Sequence, residues 1–240
     1  MVKSKSQGNV LFLILIAVVL FAALSYAVTQ SNRGGGNADS EKASITASQL
    51  IQYATSLQQA VFRLKLINGC SDTEINFDHA NHTGYTNGSA PADGTCDVFG
   101  ASGGGMPLTS PPTGVSTYDW YFAGNLILHN VNGVNSDANA ANSDLAIILF
   151  DIPQSVCTAI NNGLGIDGIP VDGSSYSNTT KFTGTYTTGE NINGITGASQ
   201  PSPCVGSPPT PNLCGVPTGC FQEQGGSQRY VFYSALIERN

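Results

Sequence analysis

The residues best equipped for covalent chemistry are six cysteines, Cys70, Cys96, Cys157, Cys204, Cys214 and Cys220. An even cysteine count outside the reducing cytoplasm is a disulfide framework more often than a metal site. No pair has the Cys-x-x-Cys spacing of a zinc corner. Three disulfides are expected, and fifteen pairings are open. Chain position suggests Cys70 with Cys96, Cys214 with Cys220, and Cys157 with Cys204. Each crosslink would offset on the order of 2–4 kcal/mol of the entropy lost when long loops become ordered. His79 and His82 stand three apart beside Asp78, the beginnings of a metal corner, but no further ligand lies near them and solvated loop histidines are the expectation. Asp167-Gly168 and Asp172-Gly173 read as two Asp-Gly turns, and Asp151, just before Ile152-Pro153, as a turn residue. Asn81, Asn87 and Asn178 match glycosylation acceptors, a pattern that so Asn-rich a chain produces by chance.

No catalytic constellation accompanies these groups. The chain lacks a Gly-x-Ser-x-Gly elbow, a Gly-Lys-Ser/Thr phosphate loop and a His-Glu-x-x-His pair. Gly103-Gly104-Gly105 is followed by neither Lys nor a helix and reads as loop. With three histidines in 240 residues, general bases are few. The expectation is a protein that is not an enzyme and needs no cofactor or metal.

Composition narrows the partners. Charged residues make up 10% of the chain, against roughly a quarter in a typical domain. The formal net charge is −7 with nine basic residues, which leaves no surface for neutralising phosphates and excludes general nucleic-acid binding. Gly and Pro content argues against a coiled coil, and 40% apolar content argues against charge-driven disorder. Charge is also unevenly distributed. Lys3, Lys5, Arg33, Lys42, Arg63 and Lys65 face only two acids before residue 70, whereas the rest of the chain is strongly acidic.

The elements that must position these groups follow from hydrophobic pattern. Residues 10–24 are apolar without a break, and the run resumes to Val28. Nineteen helical residues rise about 29 Å, close to the hydrocarbon thickness of a bilayer. Lys3 and Lys5 before the run keep that end in the cytoplasm and send the rest outward. The fold class expected is α+β: an N-terminal transmembrane helix, an amphipathic helix packed on an antiparallel β-sheet, and long disulfide-stapled loops. The divisions are a basic leader (1–8), the membrane helix (9–28), a Gly-rich joint (29–38), the amphipathic helix (39–68) and an exported β-rich domain (69–240). The amphipathic stretch starts near Asp39 or Ser40 and carries Ile45, Leu50, Ile51, Ala54, Leu57, Val61, Leu64, Leu66 and Ile67, with Asn68-Gly69 as its stop. In the body, 118–123 and 126–131 read as a hairpin about Gly124-Asn125, and 145–152 as a buried strand. A short helix follows from Pro153 to Leu164, which Gly163 can end. Lys181 to Thr188 alternates Phe182 and Tyr186 with polar residues. Residues 229–238 form a closing C-terminal strand. Long loops are expected at 80–117 and 197–228.

Three processing fates are open: retention as an anchor, signal cleavage after Ala27, or cleavage after Gly8 before the apolar helix. The last rests on a resemblance. A short basic leader with Lys3, Lys5 and Gly8, directly before an apolar run containing Val10, Leu13, Leu24 and Val28, then an amphipathic helix and a cysteine-containing β-rich body, resembles type IV pilins and type II secretion pseudopilins. The resemblance implies processing between Gly8 and Asn9 and assembly through the hydrophobic helix. Asn9 stands where the family usually has Phe or Met, and Leu13 where it usually has a docking Glu. Minor pseudopilins of the filament tip also lack that Glu. Because some pseudopilins bind calcium in the exported domain, Asp167 and Asp172 become calcium candidates.

The functional expectation is a pilin-like structural subunit, a minor or tip component of a type IV filament or pseudopilus. It would sit in the inner membrane with its N-terminus cytoplasmic and its body exported. Its partners would be the lipid bilayer and other pilin-like subunits. The alternative is a secreted or anchored cell-surface binding domain unrelated to pili.

Overall fold

The computed structural model describes residues 8–31, 35–128, 143–173, 180–187, 190–192, 211–224 and 228–239. The chain divides into two units, 1–42 and 43–240. The first contains helix α1, Gly8–Ser31. Every described side chain of α1, from residue 12 to 26, is exposed, with Phe21 at 74% and Leu24 at 67%. Among the described residues no helix is long and apolar enough to cross a membrane. The expected transmembrane segment is thus helical, and its crossing of a bilayer is not a finding of the fold.

Helix α2, Gly35–Leu66, begins four residues before the expected Asp39. Glycine is tolerated there because first-turn N–H groups have no intrahelical partner in any case. From residue 43 onward its buried stripe is Ala43, Ala47, Leu50, Ala54, Leu57, Val61 and Leu64, spaced four and three alternately. Ile45, Leu66 and Ile67, expected on this face, are exposed at 61%, 70% and 75%. They fall off the stripe at 100° per residue, and the small Ala43 and Ala47 occupy the positions in phase with it. Beyond the helix end the Cys70 N–H returns to the Leu64 carbonyl at 3.1 Å. Arg63 and Lys65 in the last turn complement the helix dipole.

The sheet has six strands in the order β3-β5-β6-β2-β1-β4. These are β1 Tyr121–Leu128, β2 Asp144–Ile152, β3 Val171–Asp172, β4 Glu190–Ile192, β5 Thr218–Glu223 and β6 Tyr230–Ile237. The four inner strands pair antiparallel, and both edge strands join parallel. β6 does not close the sheet at an edge. It lies between β5 and β2, because its run, apolar except for Ser234, can bury both faces, as an interior strand must.

β2 shows the same logic. Leu145, Ile147 and Leu149 join the α2 stripe in one core, while Ala146, Ile148 and Phe150 join a second core on the other face with Leu213, Phe221 and Tyr233. Asp151 is exposed in the left-handed region (φ 56°), where the β2–β6 register shifts.

The expected hairpin about Gly124-Asn125 is instead one strand with a bulge. The β1–β2 register shifts between Ala123 and Leu126. A Cβ on Gly124 would lie 2.4 Å from the Phe182 ring, so only glycine admits that ring. Phe182 and Tyr186 are buried at alternate positions as expected, but their segment contributes only an isolated bridge between Lys181 and Ala123.

Helix α3, Gln154–Leu164, starts after Pro153 as the pattern predicts. It ends at Leu164 as expected, and the cap is Gly165 rather than Gly163, because Gly165 takes the left-handed conformation (φ 74°) and bonds back to Asn161 and Asn162. Buried Asn161 ties α3 to β5. Its amide donates to the carbonyls of Gly168 and Cys220, both at 2.8 Å, and its oxygen accepts the Cys220 N–H at 3.0 Å.

Cys70 pairs with Cys96, as expected, and Cys157 pairs with Cys220. The expected Cys214–Cys220 and Cys157–Cys204 bonds are therefore both absent, although Cys214 is itself disulfide-bonded. Sequence proximity suggested those pairs, but α3 folding onto β5 brings Cys157 to Cys220 across 63 residues. Cys204 lies outside the described residues, as do the leader to residue 7, the remainder of the expected second hairpin arm at 129–131, and Asn178.

Candidate functional site

Four consecutive residues with aromatic or acidic side chains, Tyr118-Asp119-Trp120-Tyr121, enter β1 along the edge of a hollow. Its volume is about 300 Å³, and its walls include Asn81, His82, Tyr85, Phe150 and Lys181. A smaller hollow of about 100 Å³ adjoins it and shares Asn81, His82, Asp119 and Trp120. β2 supplies Phe150, the 79–85 turn supplies the histidine, and the segment crossing β1 at Ala123 supplies Lys181.

The turn is built locally. The His82 N–H bonds to the His79 carbonyl at 2.8 Å, and the Asn81 N–H bonds to His79 Nδ1 at 3.2 Å. The expectation of two solvated histidines fails for His82, which is only 9% exposed. Its ring stacks on Tyr85 with centroids 4.6 Å apart and planes 7° apart, and meets Phe122 edge-on. Apolar neighbours brought by β1 bury it, and no local pattern in 78–82 announces them. His82 Nε2 is buried without a hydrogen-bond partner among the described residues. Burial is the main cause holding its pKa below the ordinary value. The Lys181 and His79 charges add to that effect, while the Asp119 carboxylate and the Trp120 main chain oppose it.

Other groups of the wall are held firmly. The Tyr85 hydroxyl accepts the Phe122 N–H at 3.3 Å. Burial raises that hydroxyl's pKa well above its ordinary value. Trp120 Nε1 donates to the Thr109 carbonyl at 2.9 Å, and the Trp120 ring lies 5.1 Å from Tyr53 of α2. Lys181 Nζ donates to the Thr83 carbonyl at 2.7 Å and sits 5.0 Å from the Tyr85 centroid. Behind Phe150, the Arg229 guanidinium lies 4.3 Å from the ring while its Nε donates to Glu223 at 2.7 Å.

The remaining residues singled out by sequence do not converge here. Asp167 is exposed after α3, and Asp172 is fully buried on β3. No group of three or more His, Cys, Asp or Glu able to hold a metal occurs among the described residues. Gly8 and Asn9 begin α1, with Val10, Leu13, Leu24 and Val28 along it. Asn87 is no acceptor for a glycan in the fold. It is buried, and its amide donates to the carbonyls of Thr73 and Ile75, each at 2.8 Å. The aromatic hollow is what sequence reasoning missed. The signal available for it was the density of aromatics from 118 to 122, which a hairpin reading spent on strand propensity.

No protein-family model, curated protein or solved structure matches the chain.

Proposed function

We propose that the chain is a membrane-anchored, pilin-like structural subunit, a minor or tip component of a type IV filament or of a type II secretion pseudopilus. The observation that carries this reading is the sequence of two unlike helices. One is apolar on every side. The next buries a single stripe against a mostly antiparallel sheet. An apolar helix with no polar face has no reason to form in water and is suited to lipid or to other such helices. The 24 residues of α1 rise about 36 Å. With Lys3 and Lys5 before it, its N-terminus faces the cytoplasm and the disulfide-bonded body is exported, where oxidising conditions preserve Cys70–Cys96 and Cys157–Cys220.

Assembly on this reading uses α1 first. The exposed Phe62, Leu66 and Ile67 at the far end of α2 add a second apolar contact for a neighbouring subunit. Leu13 leaves α1 without an acid for pairing to an adjacent subunit's N-terminus, which suits a component present in few copies. The reading gives the protein no catalytic role, cofactor or nucleic-acid partner.

The test is the N-terminus of the mature protein isolated from the cell envelope. A start at Asn9, with a methylated amine, supports the proposal. A start at Val28 overturns it because the assembly helix is lost, and an intact Met1 favours an anchored surface-binding domain.

A further inference from the structure

At one corner of the body a buried carboxyl joins three strand ends. Asp144, the first residue of β2, is only 4% exposed. One of its oxygens accepts the N–H of Leu128, the last residue of β1. The other accepts the N–H of Arg239, two residues beyond β6. The charged and titratable groups of this corner are Glu238 and Arg239 after β6, Tyr186 of the 180–187 segment, Asp72 of the loop after α2, and Lys65 of α2.

The two cations are committed to Asp72. Lys65 pairs with it, and Arg239 Nε approaches it at 3.8 Å. The Arg239 guanidinium also lies 3.9 Å from the Tyr186 ring centroid and donates to the Ser143 carbonyl at 3.5 Å. Burial raises the Tyr186 pKa, so that hydroxyl stays neutral. Among the described residues no ion pair reaches Asp144 or Glu238. The carboxyl sealed from water is therefore held by main-chain donors alone. An ionised carboxylate in such a place loses hydration that two N–H bonds do not replace, whereas the neutral acid loses little. Burial is the first cause that raises the Asp144 pKa to about 6 from an ordinary 3.8. The Glu238 charge adds to it, while the two N–H bonds and the Arg239 charge oppose it.

This corner also shapes a surface. Leu236, Ile237 and Glu238 form one wall of a hollow of about 560 Å³, and Phe62 and Lys65 of α2 stand in the other. We infer that Asp144 is the catch of an acid-closed clasp. Protonated, it holds the end of β1 and the segment after β6 to the start of β2. Ionised, it lets the 238–239 segment lift, and the hollow against α2 changes shape. The clasp does not depend on the pilin-like reading, which adds only that an exported body meets the pH outside the cell.

The experiment follows amide hydrogen exchange of the full chain in detergent between pH 4 and pH 8, each rate taken relative to its intrinsic value at that pH. The N–H groups of Leu128 and Arg239 report on the clasp, and the Cys220 N–H, bonded to buried Asn161, reports on the core. The clasp amides should exchange faster than the core amide, through an opening that low urea leaves unchanged. Their protection should fall about tenfold from pH 5 to pH 7, as the folded and ordinary pKa values require. Asp144→Asn should remove that fall. If this variant does not fold, a carboxyl-carbon NMR titration of the unaltered chain decides instead, with Asp144 expected to titrate near pH 6. Four outcomes overturn the clasp: clasp protection independent of pH, a fall that persists in Asp144→Asn, clasp amides that open only together with the core, or an Asp144 carboxyl that titrates near its ordinary value.

Discussion

On β2 and β6 nearly every side chain is apolar and buried, whereas from residue 69 to 120 the chain forms no helix or strand and yet is closely ordered. The strands are held by burial on two faces and by a hydrogen-bond ladder that shifts register near its ends. The loop has neither. It is anchored at its start by Cys70–Cys96, in its middle by Asn87 bonded to two carbonyls, and across its far side by Arg63 of α2 donating to the carbonyls of Gly103 and Gly104. Phe77 is the meeting point, since it stacks on Phe122 of β1 with centroids 4.2 Å apart. Non-directional burial can order a strand. The loop buries separate side chains, Ile75, Phe77, Tyr85 and Val98 among them, but without a ladder it needs specific bonds where it turns.

Breaking the sheet side should cost most. Phe232→Ala empties a fully buried position on the α2 face of β6, and the loss is expected at about 3–5 kcal/mol in urea unfolding. If the loss is under 1 kcal/mol, the two-face core is not what holds the strands. On the loop side, replacing Cys70 and Cys96 together by Ser opens a closure of 26 residues and should cost about 3–4 kcal/mol. Limited proteolysis should then cut within 71–95 before it cuts β2.

A pH titration separates the two regions by sign. Buried Asp144 joins strand ends on the sheet side. Its oxygens accept the N–H groups of Leu128 and Arg239, both at 2.8 Å, yet burial outweighs these bonds and raises its pKa to about 6 from an ordinary 3.8. The fold favours the protonated form. Its contribution is therefore complete below the ordinary value and is lost as pH rises through about 6, a change on the order of 2–3 kcal/mol. Asp144→Asn should remove this slope. His82 acts oppositely. Its lowered pKa means the unfolded chain takes up a proton first, so its contribution falls as pH drops below 6.5. Stability curves of Asp144→Asn and of a His82 variant that bend the same way would remove the contrast.

Asn87→Ala should cost about 2 kcal/mol, because one buried and one part-buried carbonyl lose their donor at once. A smaller effect is expected at Asp151. Valine there should cost about 1–2 kcal/mol from the left-handed backbone alone, with no change in disulfide content or in the 69–120 loop.

Much of the sheet was legible because continuous apolar runs allow few alternatives. Leu145, Ile147 and Leu149 could only be core, and Pro153 could only begin a helix. β1 was misread because Gly124-Asn125 is both a turn signal and a bulge signal, and the ring of Phe182, almost sixty residues on, decides between them. The site was legible only in part. His82 was named, but of the rings against it only Tyr85 is local, and Phe122 comes from β1.

Hydrophobic pattern by itself determined the two kinds of helix, the interior strands and the disulfide character of the body, since each depends on composition within a short window. Tertiary structure alone decided the pairing of Cys157 with Cys220, the central place of β6, and the gathering of His82, Asp119 and Tyr118 around one hollow. Those features depend on contacts between distant segments, and such contacts are settled by how whole faces pack rather than by any residue's own preference.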